Sequence, residues 1–156
     1  YKVWEGWIVG DKVGYRIDGE ALTAVVQPDR LLTVRGRSED EVYAVGGVGN
    51  ALMRAWTDDA WNAFDTTGLS PPLSGVWTDV GEDLWVAGLS GLTARWDGSA
   101  WDQAIPPVSL EHFHAVTGHC DEVLFVGGNL FSNDNNYGTV VRYGAPLPRI
   151  TATTCP

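Results

Sequence analysis

The chain has 156 residues, with 10 Lys and Arg against 20 Asp and Glu and a formal net charge of -10 at pH 7. A chain this acidic would repel a phosphate backbone, so nucleic acid is excluded as an expected partner. No apolar stretch approaches the roughly 20 residues of a membrane-spanning helix, and direct membrane insertion is therefore not expected.

Four runs of apolar residues, each ending on a glycine, divide the chain into repeats. They occupy residues 7–10, 42–46, 84–88 and 123–127. Their glycines lie about 40 residues apart, a period typical of repeat proteins and of the four-stranded units of propellers. A continuous apolar run predicts a strand that is covered on both faces, as expected when one sheet packs between two others.

A second signature places two large apolar residues five positions apart, around a turn. In the third repeat, Trp96 and Trp101 flank Asp97-Gly98, a pair that predicts a tight hairpin turn with the two Trp on paired strands and on the same side of the sheet. The second and first repeats carry Trp56 with Trp61 and Ile17 with Leu22 at the same spacing. The third repeat therefore predicts four strands, at residues 73–77, 84–87, 93–96 and 100–104.

These patterns predict an all-β fold, a β-propeller of four-stranded antiparallel blades. The expected blades are about residues 1–30, 31–72, 73–110 and 111–145, followed by a non-repeat tail, 146–156, that is a candidate closing strand. Prolines at 71–72 and 106–107 suit the crossings between sheets. Because the first repeat begins partway through its first strand and propellers commonly exceed four blades, we expect part of a larger propeller; a self-closed four-bladed ring is the alternative.

The repeats resemble those of kelch-like propellers, in which an apolar strand and a glycine pair precede an aromatic residue and a tryptophan. Residues 42–47 with Trp56 and Trp61, and residues 123–128, carry this pattern. Two features depart from it: the aromatic spacing is five, and Val86-Ala87-Gly88 replaces the glycine pair. Residues 95–98 with Trp101 are more similar to tryptophan-rich propeller repeats of secreted and surface-exposed bacterial proteins. The resemblance implies a fold and not a reaction.

The two cysteines, Cys120 and Cys155, form an even pair that suits one disulfide joining the tail to the fourth repeat. Such a bridge, together with the resemblance, predicts an extracellular, cell-surface or periplasmic location. Two separate free thiols are the alternative.

The three histidines, His112, His114 and His119, are the only cluster of candidate metal ligands in the sequence. Residues two apart on a strand face the same side, so His112 and His114 could share an ion. The spacing matches no zinc signature, and we favour the interpretation in which His114 occupies a strand and the other two lie in loops. No metal and no cofactor are expected.

An insertion in the fourth repeat carries oxygen donors suited to calcium, at Asn133, Asp134, Asn135, Asn136 and Tyr137. Only one of them is charged, which favours a solvated loop over an ion site. Because insertions of repeat proteins fall on one face, often the binding face, this loop is the predicted partner contact.

Most of the eight Trp occupy recurring positions and are expected to fill the core between blades. Trp4, Trp7 and Trp77 are less regular, and an exposed ring among them could stack on a sugar. Paired acids recur at the same turn of each repeat, which argues against a unique catalytic pair.

We therefore predict a non-enzymatic protein-interaction or scaffold domain of a secreted or surface-exposed bacterial protein, with a protein partner or larger complex. A carbohydrate-binding propeller lectin that uses repeated Trp platforms is the alternative. An enzyme would need a metal at the histidine cluster or residues beyond these repeats.

Overall fold

A computed structural model describes residues 5–78, 83–119, 121–129 and 138–144 of the chain. Within these ranges the fold is all-β, and the one helical segment is a short 3-10 turn, Leu89–Gly91. The described ranges contain no helix with the length and hydrophobicity of a membrane span. The strands are β1 (Glu5–Ile8), β2 (Asp11–Asp18), β3 (Ala21–Ser38), β4 (Glu41–Gly46), β5 (Leu52–Thr57), β6 (Ala60–Ala63), β7 (Leu73–Thr78), β8 (Leu84–Gly88), β9 (Thr93–Trp96), β10 (Trp101–Gln103), β11 (Phe113–His119), β12 (Glu122–Gly128) and β13 (Gly138–Tyr143).

These strands form three antiparallel sheets in which sequence neighbours pair: β1 to β6, β7 to β10, and β11 to β13. The first sheet has six strands because β3 serves two repeats. Residues 21–30 of β3 pair with β2, and residues 31–38 pair with β4. The strand thus runs through the predicted boundary after Arg30, and its partner changes there. We call the four repeats units 1 to 4, with β3 divided at that point; unit 2 ends with β6, unit 3 is β7 to β10 and unit 4 is β11 to β13.

The four strands predicted for the third repeat are confirmed by β7 to β10. Trp96 lies directly opposite Trp101, with ring centroids 5.3 Å apart. The turn between them is longer than predicted, because Asp97 Oδ1 accepts hydrogen bonds from the backbone N–H groups of Ser99 (2.7 Å) and Ala100 (2.8 Å). These two bonds complete a four-residue turn in place of a two-residue one.

The first strands of units 2, 3 and 4 all carry a β-bulge at the same register. The residue that opens each strand is buried and lies opposite the glycine of the next strand, after which the pairing skips one residue. The buried residues are Leu31, Leu73 and Phe113, and the skipped ones are Leu32, Ser74 and His114. Three copies of one irregularity make the units structural repeats and not only sequence repeats.

The glycines that end the apolar runs permit a close backbone approach. A Cβ at Gly88 would lie 2.6 Å from the carbonyl oxygen of Pro72, and one at Gly127 would lie 2.6 Å from Phe113 Cα. In units 2, 3 and 4 the carbonyl that precedes the first strand accepts a hydrogen bond from the residue after the glycine, as in Leu89 N to Pro72 O at 3.1 Å. These positions have no room for a side chain, so glycine is required there.

Neighbouring units pack face to face, and a hydrophobic cluster fills each of the three joints. Along β4, Val42 and Ala44 enter the first cluster, between units 1 and 2. Val45, which points to the opposite face, enters the second. The same alternation in β8 assigns Leu84 and Val86 to the second cluster and Trp85 and Ala87 to the third. Strands β4 and β8 are thus covered on both faces, as their apolar runs predict. The same prediction is wrong for the runs in β1 and β12, where the described residues cover one face and leave Ile8 and Val126 exposed.

Hydrogen bonds join the first strands of successive units side by side. Thr33 Oγ1 donates to Ser74 O at 2.6 Å, and Ser74 Oγ donates to Phe113 O. Strand β7 accordingly contacts β3, β4 and β11. These bonds also align the units, so that equivalent turns of different units lie on the same side of the molecule.

Candidate functional site

The strands of all units turn at two opposite surfaces of the molecule, and these surfaces differ in chemistry. Turns at one end carry recurring carboxylates, and we call this the acidic end; it comprises residues 18–20, 38–41, 58–59, 97–100 and 121–122. The opposite end, which we call the loop end, comprises residues 47–51, 64–72, 89–92 and 104–112. A partner that approaches along the strand direction meets one of these two surfaces.

Carboxylates near the acidic end are engaged by arginines of the same unit. Asp83 Oδ1 accepts from Arg95 Nε (3.0 Å) and Nη2 (2.6 Å), and Glu122 accepts from Arg142. The hydrogen bond from Arg142 lowers the pKa of Glu122, and bonds within the turn from Ala100 and Ser99 lower that of Asp97. Both shifts favour the ionised form, which suits a structural role and opposes proton donation near neutral pH.

Tyr43 provides a test of this end. Its hydroxyl donates to Glu41 Oε1 at 3.0 Å, and burial followed by this hydrogen bond raises its pKa to about 12. A raised folded-state pKa gives stability that is full below pH 10 and is lost as the pH rises from about 10 to 12. We expect Tyr43→Phe to lose about 1 kcal/mol at pH 7 and to remove this part of the alkaline loss.

The measurement is urea denaturation of both proteins at pH 7 and pH 11. Groups other than Tyr43 also titrate in this range, so the difference between the two proteins is the quantity of interest. Equal alkaline losses in both would contradict the prediction.

The structure does not bring the three histidines together. His112 Nδ1 accepts from Ser90 N–H at 3.0 Å, and His114, the bulge residue, lies 3.1 Å from Gly128 O through Nε2. His119 ends β11, seven residues after His112, which corresponds to about 23 Å at about 3.3 Å per residue. Within the described ranges no three His, Cys, Asp or Glu form a group able to hold a metal.

Protein groups occupy the faces of the two described irregular tryptophans. Trp7 packs in the first joint against Trp56 and Trp61, with centroid distances of 4.3 and 5.1 Å. The guanidinium of Arg35 lies 4.0 Å from the centroid of Trp77. A sugar could stack on these faces only after displacing those neighbours. The other predicted binding residues, Trp4 and Asn133, Asp134, Asn135, Asn136 and Tyr137, lie outside the described residues, as do Cys120 and Cys155.

A surface depression of about 370 Å³ lies between units 1 and 2, lined by Arg16, Arg35 and Arg37 among others. Each of these guanidinium groups has a neighbour of its own. Arg37 bonds Glu41, Arg35 stacks on Trp77, and Arg16 lies 6.0 Å from the Trp7 centroid. The depression is therefore a seam between units whose charges are already engaged.

Exposed aliphatic side chains gather at the loop end, in the segment that crosses from unit 3 to unit 4. Ile105 is 81% exposed, Val108 62% and Leu110 79%. We call residues 105–110 the apolar ledge. Single exposed apolar residues are ordinary, but three within six residues form a patch of the kind that marks interaction surfaces.

Contacts at Gly91, Ser109 and His112 hold the ledge in place. Gly91, with φ of +77°, has no side chain, and a Cβ there would lie 2.8 Å from the Ser109 carbonyl carbon. Ser109 Oγ accepts from Glu111 N–H at 3.1 Å, and the bond from Ser90 to His112 anchors the end of the crossing. The ledge was missed in the sequence, where its prolines indicated only a crossing; the signal was the aliphatic residues beside prolines that cannot pair in a sheet.

No family model matches the chain, and no curated protein is significantly similar to it.

Proposed function

We propose that the chain is a non-enzymatic interaction domain whose units are arranged as propeller blades. Support for the arrangement comes from the repeated joint: the same bulge, the same glycine contact and the same alternation recur from unit to unit. The side-by-side first strands of units 2 to 4 would line the axis, as in propellers. An oxidising location outside the cytoplasm is part of this proposal and depends on the two cysteines.

The apolar ledge supports a protein partner. Its three aliphatic side chains are exposed, and the segment is held by contacts of Ser109 and His112 rather than by those side chains. Burying them against another protein would remove apolar area from water without first ordering a loop. The exposure of Ile105, Val108 and Leu110 on a fixed segment is the observation that carries the proposal.

Carbohydrate binding is less well supported, because Trp7 and Trp77 already contact Trp56 and Arg35. We therefore favour a protein over a sugar as the partner, and the partner's surface should be apolar with few acidic groups, since the chain carries a net charge of -10.

The test is site-specific photo-cross-linking. A photoreactive amino acid at Val108 is expected to capture a discrete protein from extracts and culture supernatant of the source organism, and Leu110→Asp in the same chain is expected to weaken capture at least tenfold. The same photoreactive residue at Asn62, which is exposed on β6 away from the ledge, is the matched control. Excess chain without the photoreactive residue should reduce capture at position 108.

Equal capture at positions 108 and 62, or capture that survives Leu110→Asp, would contradict the ledge as the binding surface. A glycan array probed with the same labelled chain covers the alternative. Strong glycan binding that is lost on Trp77→Ala would replace the protein partner with a sugar.

A further inference from the structure

Both ends of the row of units carry an apolar sheet face that nothing among the described residues covers. On unit 1, Trp7 points into the first joint, so its strand neighbour Ile8 points outward, on the same side as Leu22 and Val26 of β3. These are 48%, 59% and 87% exposed. We call this the first face.

On unit 4, Val123 and Phe125 fill the third joint, so Leu124 and Val126 point to the opposite side. Val140, which pairs with Val126, is 66% exposed. We call this the last face.

The internal joints show what such faces contact. In the first joint Trp7 of one unit inserts against Trp56 and Trp61 of the next, and in the third joint Trp85 packs on Tyr143 at 4.6 Å. Each inserting residue lies three positions before the glycine that ends its apolar run, and Leu124 has that position in unit 4. The last face is therefore the inserting side of a fourth joint.

The first face has the features of the receiving side. Ile17 and Leu22 pair across the β2–β3 turn as Trp56 and Trp61 pair across the β5–β6 turn. The internal joints set aromatic rings against aromatic rings, whereas Leu124 would meet two aliphatic side chains. At the two outward faces, therefore, a smaller inserting residue is matched by a smaller receiving pair.

We propose that a second copy of this chain covers both faces, with the last face of each copy on the first face of the other. Two copies joined in this way form two identical joints and a closed ring of eight units, a number within the range of propellers. The inference rests on the propeller arrangement proposed above. Other occupants, namely residues of this chain outside the described ranges or a different protein, are separate outcomes of the test.

The first measurement is the mass of the 156-residue chain by light scattering and sedimentation. We expect a species of two chains of 16.9 kDa each, and tighter association as salt screens the charge of -10 on each copy. A monomer at all concentrations up to about 100 μM would overturn the proposal. A ladder of larger species would show head-to-tail contact without closure and would overturn the ring.

The second measurement places a charge on each face. Leu22→Asp and Val140→Asp change exposed side chains, so each chain should still fold, and each should raise the dimer dissociation constant about a hundredfold. Ser70→Asp, on an exposed loop, is the matched control and should leave dimerisation unchanged. Circular dichroism checks the fold of all three.

Mixing the two face variants distinguishes a head-to-tail ring from a symmetric pairing of like faces. A mixed pair keeps one intact joint, so the mixture should dimerise more tightly than either variant alone. No gain on mixing would overturn the proposal. A chain truncated after Gly144 tests an internal occupant: a full-length monomer that dimerises only when truncated would assign the last face to residues 145–156.

The two proposals fail separately. A monomeric chain that still captures a partner through Val108 would overturn the ring and leave the interaction function standing. A stable dimer with no capture at Val108 would do the reverse.

Discussion

Alanine at Gly127 is expected to destabilise the fold by about 3 kcal/mol or more. The new Cβ would lie 2.6 Å from Phe113 Cα and closer still to the carbonyl oxygen of His112. Both are backbone atoms tied into β11 and into the hydrogen bond from Gly128, so neither can move without opening the sheet. Overpacking against such a neighbour costs about 1 to 3 kcal/mol, and more where the backbone must shift.

The other repeat glycines provide the comparison. Gly46→Ala, with a Cβ 2.9 Å from Leu31 Cα, and Gly88→Ala should also be strongly destabilising. Gly10→Ala is the matched control, because the nearest atom to its Cβ is Val13 O at 3.4 Å, an ordinary contact. Urea denaturation followed by Trp fluorescence measures all four. A Gly10 variant as unstable as the Gly127 variant would contradict this account of the glycines.

Phe113→Ala is expected to cost about 3 to 5 kcal/mol of the free energy of unfolding. The ring is fully buried in the third joint, where its centroid lies 6.0 Å from that of Phe125. Its removal leaves a cavity between units 3 and 4, and the neighbouring strands cannot collapse into it because hydrogen bonds to β12 hold β11 in register.

Thermal and urea denaturation with a matched surface variant test this prediction. Leu110→Ala removes an aliphatic side chain three residues away that is 79% exposed, and its effect should stay within about 0.5 kcal/mol. Similar losses in the two variants would mean that the third joint does not stabilise the fold.

The strands could be predicted from the sequence wherever pattern and packing agree. The run at residues 84–88 is apolar throughout because both of its faces are covered, and Trp96 and Trp101 lie opposite each other because a turn separates them. The repeat period and the position of the glycines have the same cause, because each unit packs on the next in the same way.

The irregularities of the backbone could not be predicted, because no common residue type marks them. The bulge falls on Leu32, Ser74 and His114, which share no chemistry. In the second unit Asp58 and Asp59 both adopt positive φ (53° and 56°) where the sequence has no glycine. Positive φ is unfavourable for residues other than glycine, and the pairing of β5 with β6 offsets this cost of forming the turn.

The candidate site was the least predictable part. Trp7 was expected to be less regular than the other Trp and suggested a sugar platform, yet it packs in a joint against Trp56 and Trp61. Its place three residues before the glycine of its run is the place that Trp85 has in the third repeat. The apolar ledge depends on how Ser109 passes over Gly91, a contact within one predicted repeat that no local sequence pattern reveals. Exposure of this kind is a property of the assembled fold.

Strand β3 is continuous through the first two repeats, whereas non-strand segments separate units 2, 3 and 4. It pairs with β2 over one half and with β4 over the other, so melting of either repeat loosens one end of a strand whose other end the neighbouring repeat holds. Solenoid-like chains ordinarily fray one repeat at a time from their termini. Here the amino-terminal half should open as one cooperative block, and fraying should begin at the opposite end.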